Sequence, residues 1–255
     1  MKAVIPVLAL LLSFGSAARA QPAATWNDPR LVEDFITIEL GAEFPHERVR
    51  PPALMRWARP IRVTGTGPRA DEWADTFAWH VRRLARITGH PIELRRGGEV
   101  DMIAIFVPTL NAAAIGEYAP IYRRMFASEE RFHEQMTRIA SGALNAICFA
   151  NVRTNDRYEI TAAVAFIPLD RGATVLRQCI VEELSQAMGL PNDDDAVDPS
   201  IFNDRSPYIE LTGKDILFLR LLYHRSLRAG MTADQIRTAA PAALTDLRRR
   251  PFAER

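Results

Sequence analysis

Hydrophobic residues follow two periods along this chain, and the switches between them mark its elements. Pro60-Ile61-Arg62-Val63-Thr64 alternates polar and apolar, the period of a half-buried strand, and Gly65 and Gly67 end it. Over residues 71–88 the period lengthens: Trp73, Phe77, Val81, Leu84 and Ile87 recur on one helical face. Gly89 stops that helix and Pro91 prevents its continuation. Residues 92–95 and 102–107 then read as a strand pair joined through Gly97-Gly98. The second of these is continuously apolar, as a central strand would be. Residues 112–140 read as a charged helical insertion containing Tyr118, Tyr122 and Phe126, aromatics that pack it onto a sheet or, in the alternative, offer a contact surface to a partner. Residues 144–152 and 158–169 form two further predicted strands around a turn at Thr154-Asn155-Asp156. Residues 31–43 are apolar but without a clear period.

The second half is helical. A helix is predicted over 173–188, followed by an acidic loop. Thr212 and Asp215 stand at capping-box spacing and open another helix, and Thr232 and Gln235 repeat the signal for the last one. This order predicts an α+β domain over residues 60–255, a twisted mixed sheet followed by helices, with residues 21–59 packed on it as an N-terminal segment.

The first twenty residues stand apart from that fold. Lys2 gives a positive start, residues 3–14 are apolar, and Ala18-Arg19-Ala20 forms a small-x-small site. They read as a secretory signal peptide cleaved after Ala20, so the expected location is the periplasm or the cell exterior. Its loss removes Lys2 and Arg19, leaving 30 basic against 31 acidic residues. A nearly neutral chain argues against nucleic acid as a partner, and no later apolar run reaches the length of a membrane span. The two cysteines, Cys148 and Cys179, are expected to pair in an oxidising compartment, tying a strand to the start of the 173–188 helix. Two independently buried thiols are the alternative.

The candidate chemistry sits at the end of that helix, in Glu182-Glu183-Leu184-Ser185-Gln186-Ala187-Met188-Gly189-Leu190-Pro191-Asn192-Asp193. Zinc peptidases of the metzincin type carry HExxHxxGxxH. Two ligands lie one helical turn apart, a glutamate beside the first is the general base, and a glycine turns the chain to deliver the third ligand. This stretch resembles that skeleton without its histidines. Glu182 and Gln186 stand at the helix-ligand positions, Glu183 at the base position, Gly189 at the turn and Asn192 at the third ligand position. Ser200-Ile201-Phe202 resembles the metzincin Met-turn, with Phe202 in place of methionine. The resemblance implies a metzincin-like (zincin) fold and a metallopeptidase-like hydrolase, active or as a pseudoenzyme. The whole chain also resembles a family of proteobacterial secreted or lipid-anchored proteins of unknown function, DUF2927. That resemblance rests on Cys179, the Glu182-Glu183-Leu184-x-Gln186 core, Leu190-Pro191-Asn192-Asp193 and the 200–204 stretch, and it implies no activity.

Residues four apart share a helical face, so Glu182 and Gln186 can converge, and Glu183 lies about 100° around the helix. The resemblance implies zinc. The residue types, a carboxylate and two carboxamides with Asp193, Asp194, Asp195 and Asp198 nearby, suit a harder divalent cation instead. None of the five histidines stands at HExxH spacing; His80 reads as a core residue, and His46, His90 and His224 lie near element ends. Two readings follow. The chain is a divergent or inactive metal-dependent peptidase with Glu183 as base, or it is a non-catalytic module that holds a peptide or an envelope protein.

Overall fold

A computed structural model of the chain describes residues 30–42, 50–144, 146–250 and 252. The predicted signal peptide and His46 lie outside the described residues. The elements are α1 (Leu31–Leu40), β1 (Arg56–Trp57), β2 (Ile61–Thr66), α2 (Ala74–Thr88), β3 (Ile92–Leu94), β4 (Met102–Val107), α3 (Ala112–Gly116), α4 (Ala119–Tyr122), α5 (Glu129–Ala140), β5 (Phe149–Thr154), β6 (Glu159–Pro168), α6 (Ala173–Gln186), α7 (Gly213–Leu222) and α8 (Ala233–Arg248). No helix among the described residues is long and apolar enough to cross a membrane.

The architecture is mixed α and β. One sheet runs β3-β2-β4-β6, all neighbours parallel. β5 pairs antiparallel with β6, and the two-residue β1 pairs parallel with the start of β6. β4 is central, as its unbroken apolar run predicts, with Ala104 to Val107 fully buried between β2 and β6.

The predicted pairing of residues 92–95 with 102–107 is corrected. β3 and β4 both lie parallel to β2, one on each side, so the Gly97-Gly98 connection crosses over β2 and makes no hairpin. Arg62 of β2 holds the crossing in place. Its guanidinium binds Asp101 at 2.8 and 2.9 Å and Glu99 at 2.6 Å, and its carbonyl accepts the Asp101 N–H at 2.8 Å. Residues 31–43, without a clear period in the sequence, contain α1. Its Leu31, Phe35 and Ile38 are buried, and Asp34 and Glu39 are buried beside them. Two polar residues on the core side blur the helical period that tertiary partners restore.

Each face of the sheet has its own core. One is built from α2, α6, α7 and α8 with Phe77, Leu84, Ile180, Leu184, Phe202 and Phe218. The other is covered by the 112–140 insertion, where Tyr122 is fully buried and meets Phe126, Phe132, Phe149 and Phe166 at ring-centroid distances of 5.0 to 6.1 Å. Both predicted capping boxes form, Thr212 with Asp215 and Thr232 with Gln235.

Candidate functional site

α6 leaves the end of β6 at Gly172, whose φ of 80° suits glycine, and is buried on almost every side from Cys179 to Gln186. Burial on all sides places its polar residues inside the protein. Behind them, His80 of α2 stands with Nε2 3.2 Å from Ser185 Oγ, and Ser185 Oγ donates to the Val181 carbonyl at 2.6 Å. Burial, reinforced by Arg83, pulls the His80 pKa down to about 3. It is a neutral core histidine that joins α2 to α6.

The end of α6 is held by partners distant in sequence. Trp57 Nε1 donates to the Ala187 carbonyl and the Tyr223 hydroxyl to the Met188 carbonyl, both at 2.8 Å. Gly189 follows with φ of 119°, and a Cβ there would lie 2.2 Å from the Met55 carbonyl oxygen. The turn position of the motif therefore needs glycine for its conformation and for its space. The Cys148–Cys179 disulfide ties the start of β5 to α6, with Cα atoms 5.9 Å apart.

Beyond the turn the structure keeps two of the predicted ligand positions, Glu182 and Gln186, beside Asp193 and turns the third, Asn192, away. The Gln186 side chain donates Nε2 to both oxygens of Asp193, at 2.9 and 3.0 Å. Asn192 turns the other way: its Nδ2 donates to the Thr37 carbonyl of α1 at 3.1 Å, and a Cβ on Gly41 would come within 2.3 Å of its amide. Glu182 instead meets Asp193 and Asp204, with one carboxylate oxygen of each within 4.8 Å of the others. Glu183 and Glu182 are both buried and lie within that same distance of the Cys148 sulfur. The sulfur is spent in the disulfide, so it is no thiolate ligand. Burial first, and the neighbouring Asp204 carboxylate second, push the Asp193 pKa up to about 7, against the Gln186 hydrogen bond that lowers it.

Asp204 has no ligand spacing in the sequence. It reaches the group because the acidic loop folds back, with Asp194 N–H donating to the Phe202 carbonyl at 2.8 Å and Asn203 Nδ2 to the carbonyls of Asp195 and Val197. The loop is anchored by buried Asp215. Its carboxylate accepts from Ser200 Oγ at 2.6 Å, Ile201 N–H at 3.0 Å and Thr212 N–H at 2.7 Å. Ser200 and Phe202 are fully buried in this turn. Lys214 Nζ adds a second anchor by donating to Asp34 of α1 and to the Asp198 carbonyl, at 2.8 and 2.9 Å.

This donor set does not fit a histidine-type zinc centre. Zinc in proteins takes nitrogen and sulfur ligands by preference, and here one predicted ligand position is turned onto α1 while another donates an amide nitrogen to a carboxylate. The oxygens of Glu182, Asp193 and Asp204 are the ones that could hold a hard divalent cation.

A cleft of about 430 Å³ opens beside the group, between β5, the 112–140 insertion and the 50–55 segment. Gln186 and Pro191 bring the motif region into its lining, and Asn151 and Val152 contribute β5. Tyr158, at φ of 61°, closes one end, its ring under Arg50 at 4.1 Å and its hydroxyl donating to the Pro51 carbonyl at 3.1 Å. No periodicity in the sequence points to this cleft, because its walls come from five separate stretches of chain, 39–42, 50–55, 125–135, 150–158 and 186–191.

Fold and site together define a disulfide-pinned mixed α/β domain whose central helix ends beside a cleft, in a group of carboxylates that runs from buried Glu182 through half-buried Asp193 to exposed Asp204, with a buried carboxamide next to it. The chain belongs to the family described as "Protein of unknown function (DUF2927)", which matches residues 28–242. No curated protein matches it.

Proposed function

We propose that this is an extracytoplasmic metzincin-like domain that holds a polypeptide in the cleft along β5 without zinc-dependent hydrolysis. The observation that carries this reading is the use made of the ligand positions: Asn192 is bonded to Thr37 and Gln186 to Asp193, while the cleft beside them stays open. The order of elements supports the metzincin relationship, with an early helix, a sheet, the motif helix, a tight turn and C-terminal helices. The disulfide is consistent with an oxidising compartment, and the signal-like N-terminus gives the periplasm as the proposed location.

A second reading, a peptidase working with a hard divalent cation, is favoured by one observation: the proximity of the Glu182, Asp193 and Asp204 oxygens, with Glu183 next along the helix. There the cation would supply Lewis acidity, and Glu183 would take the proton of the attacking water. One experiment separates the two. Mature protein is incubated with reduced, alkylated casein and with calcium, magnesium, manganese or zinc, in wild-type and Glu183→Gln forms. Capture of intact casein by both forms supports the holding module. Cleavage that needs a cation and disappears in Glu183→Gln supports the peptidase, and no capture in any condition defeats the first reading.

A further inference from the structure

We infer that the Cys148–Cys179 disulfide masks a binding site for a thiophilic divalent cation, zinc above all, which opens when the disulfide is reduced. Its donors are Cys148, Cys179, Glu182 and Glu183, and the inference rests on neither reading of the cleft. Cys179, Glu182 and Glu183 stand at positions i, i+3 and i+4 of α6, so they share one face of the helix. Cys148, the residue before β5, is brought to that face by the disulfide. The Cys148 sulfur and one carboxylate oxygen each of Glu182 and Glu183 lie within 4.8 Å of one another. Zinc bonds of about 2.0 to 2.3 Å in a tetrahedron set neighbouring donors about 3.3 to 3.8 Å apart, which small side-chain rotations reach from that spacing.

Reduction supplies what the donor set lacks in the oxidised protein. A dithiol attacks one cystine sulfur through its thiolate, the protein S–S bond breaks, and the other cysteine leaves as a thiolate. The second thiol of the reductant then closes a ring disulfide on itself and releases the first cysteine. Two electrons pass from the dithiol to the cystine, and two protons end on the protein thiols. A cation that binds there displaces both protons, because a coordinating thiol is deprotonated. Two sulfurs and two carboxylate oxygens fill a four-coordinate shell, and the sulfurs select zinc over calcium or magnesium. All four residues are more than nine-tenths buried, which keeps the ion out of bulk water. An ionised carboxylate has two oxygens and about four acceptor sites, so each glutamate can give one oxygen to the ion and keep its other hydrogen bonds. The divalent charge offsets the negative charge that two thiolates bring to two buried glutamates. This set is distinct from the Glu182, Asp193 and Asp204 oxygens, which include no sulfur and suit a harder ion.

The test follows cobalt(II), which reports sulfur ligation by an intense near-ultraviolet charge-transfer band, and zinc, which should displace it. Mature protein is reduced with dithiothreitol, desalted without oxygen and titrated beside the oxidised form, with circular dichroism monitoring the fold. The reduced protein should develop the band and lose it to zinc, and the oxidised protein should show none. Cobalt held only by the oxygens of Glu182, Asp193 and Asp204 lacks the band, so the hard-cation reading is not confused with this one. Glu182→Gln and Glu183→Gln should each weaken zinc binding by the reduced form about tenfold or more. Absence of the band in reduced wild type overturns the inference. An affinity unchanged in both variants overturns it equally, since two cysteines on a loosened chain would then account for the binding. If reduction alone unfolds the protein, zinc should restore its circular dichroism, and failure to do so overturns the inference as well.

Discussion

Asn192 and Thr37 join the loop after the motif helix to the N-terminal helix, through a single 3.1 Å hydrogen bond across 155 positions of sequence. The bond explains why the peptidase-like spacing of this stretch does not deliver a third ligand. The glycine turn is kept, but the chain leaves it toward α1, and the next residue, Asp193, faces the carboxylate group instead. Asn192→Ala should cost about 1 kcal/mol of stability, the value of one part-buried hydrogen bond, measured by urea unfolding. It should leave any divalent-cation affinity of the protein unchanged, whereas Asp193→Ala should lower it.

The disulfide closes a loop between positions 31 apart and fastens the first residues of the β5 hairpin to the helix that carries Glu182 and Glu183. Replacing both cysteines with serine should lower stability by about 3 to 4 kcal/mol, read from denaturant midpoints of oxidised wild type and the double variant. Mass measurement after alkylation without reduction should find no labelled cysteine in protein purified under oxidising conditions.

Gly189 answers to two constraints at once, a φ of 119° and a neighbouring carbonyl that would stand 2.2 Å from an added Cβ. Gly189→Ala should therefore destabilise by about 2 kcal/mol or more, well beyond the effect of a surface substitution. A melting temperature within one degree of wild type would contradict the close approach of Met55.

Asp193 and Asp215 titrate in the folded protein at about 7 and about 6, above the ordinary aspartate value of 3.8, and burial is the leading cause for both. Folding thus favours their protonated forms. The stability they contribute is complete below about pH 4 and is lost as pH rises through 6 and then 7. The melting temperature should rise when pH falls from 8 to 5, and Asp215→Asn, neutral throughout, should flatten part of that rise.

Much of the fold was legible because its elements bury simple patterns. The apolar run of β4, the helical stripe of α2, the two capping boxes and the β5–β6 turn each specify their structure locally. The order of strands across the sheet was not, since Gly97-Gly98 reads as a hairpin turn, and only Arg62 reaching Asp101 and Glu99 carries the chain across β2. At the candidate site, the spacing brought Glu182, Glu183 and Gln186 to one buried stretch of helix. The arrival of Asp204 and the departure of Asn192 depend on how the 191–204 loop folds back on itself and onto α1. Those contacts are long-range, and no periodicity records them.

Lys214 is the last lysine in the sequence after Lys2, and its ammonium group is enclosed between Asp34 and the Asp198 carbonyl with 3% of the side chain exposed. Reagents that acylate primary amines should accordingly leave the native interior untouched and modify this position only once α1 has come away from α7. One amine thus doubles as a built-in reporter of whether the N-terminal helix is docked.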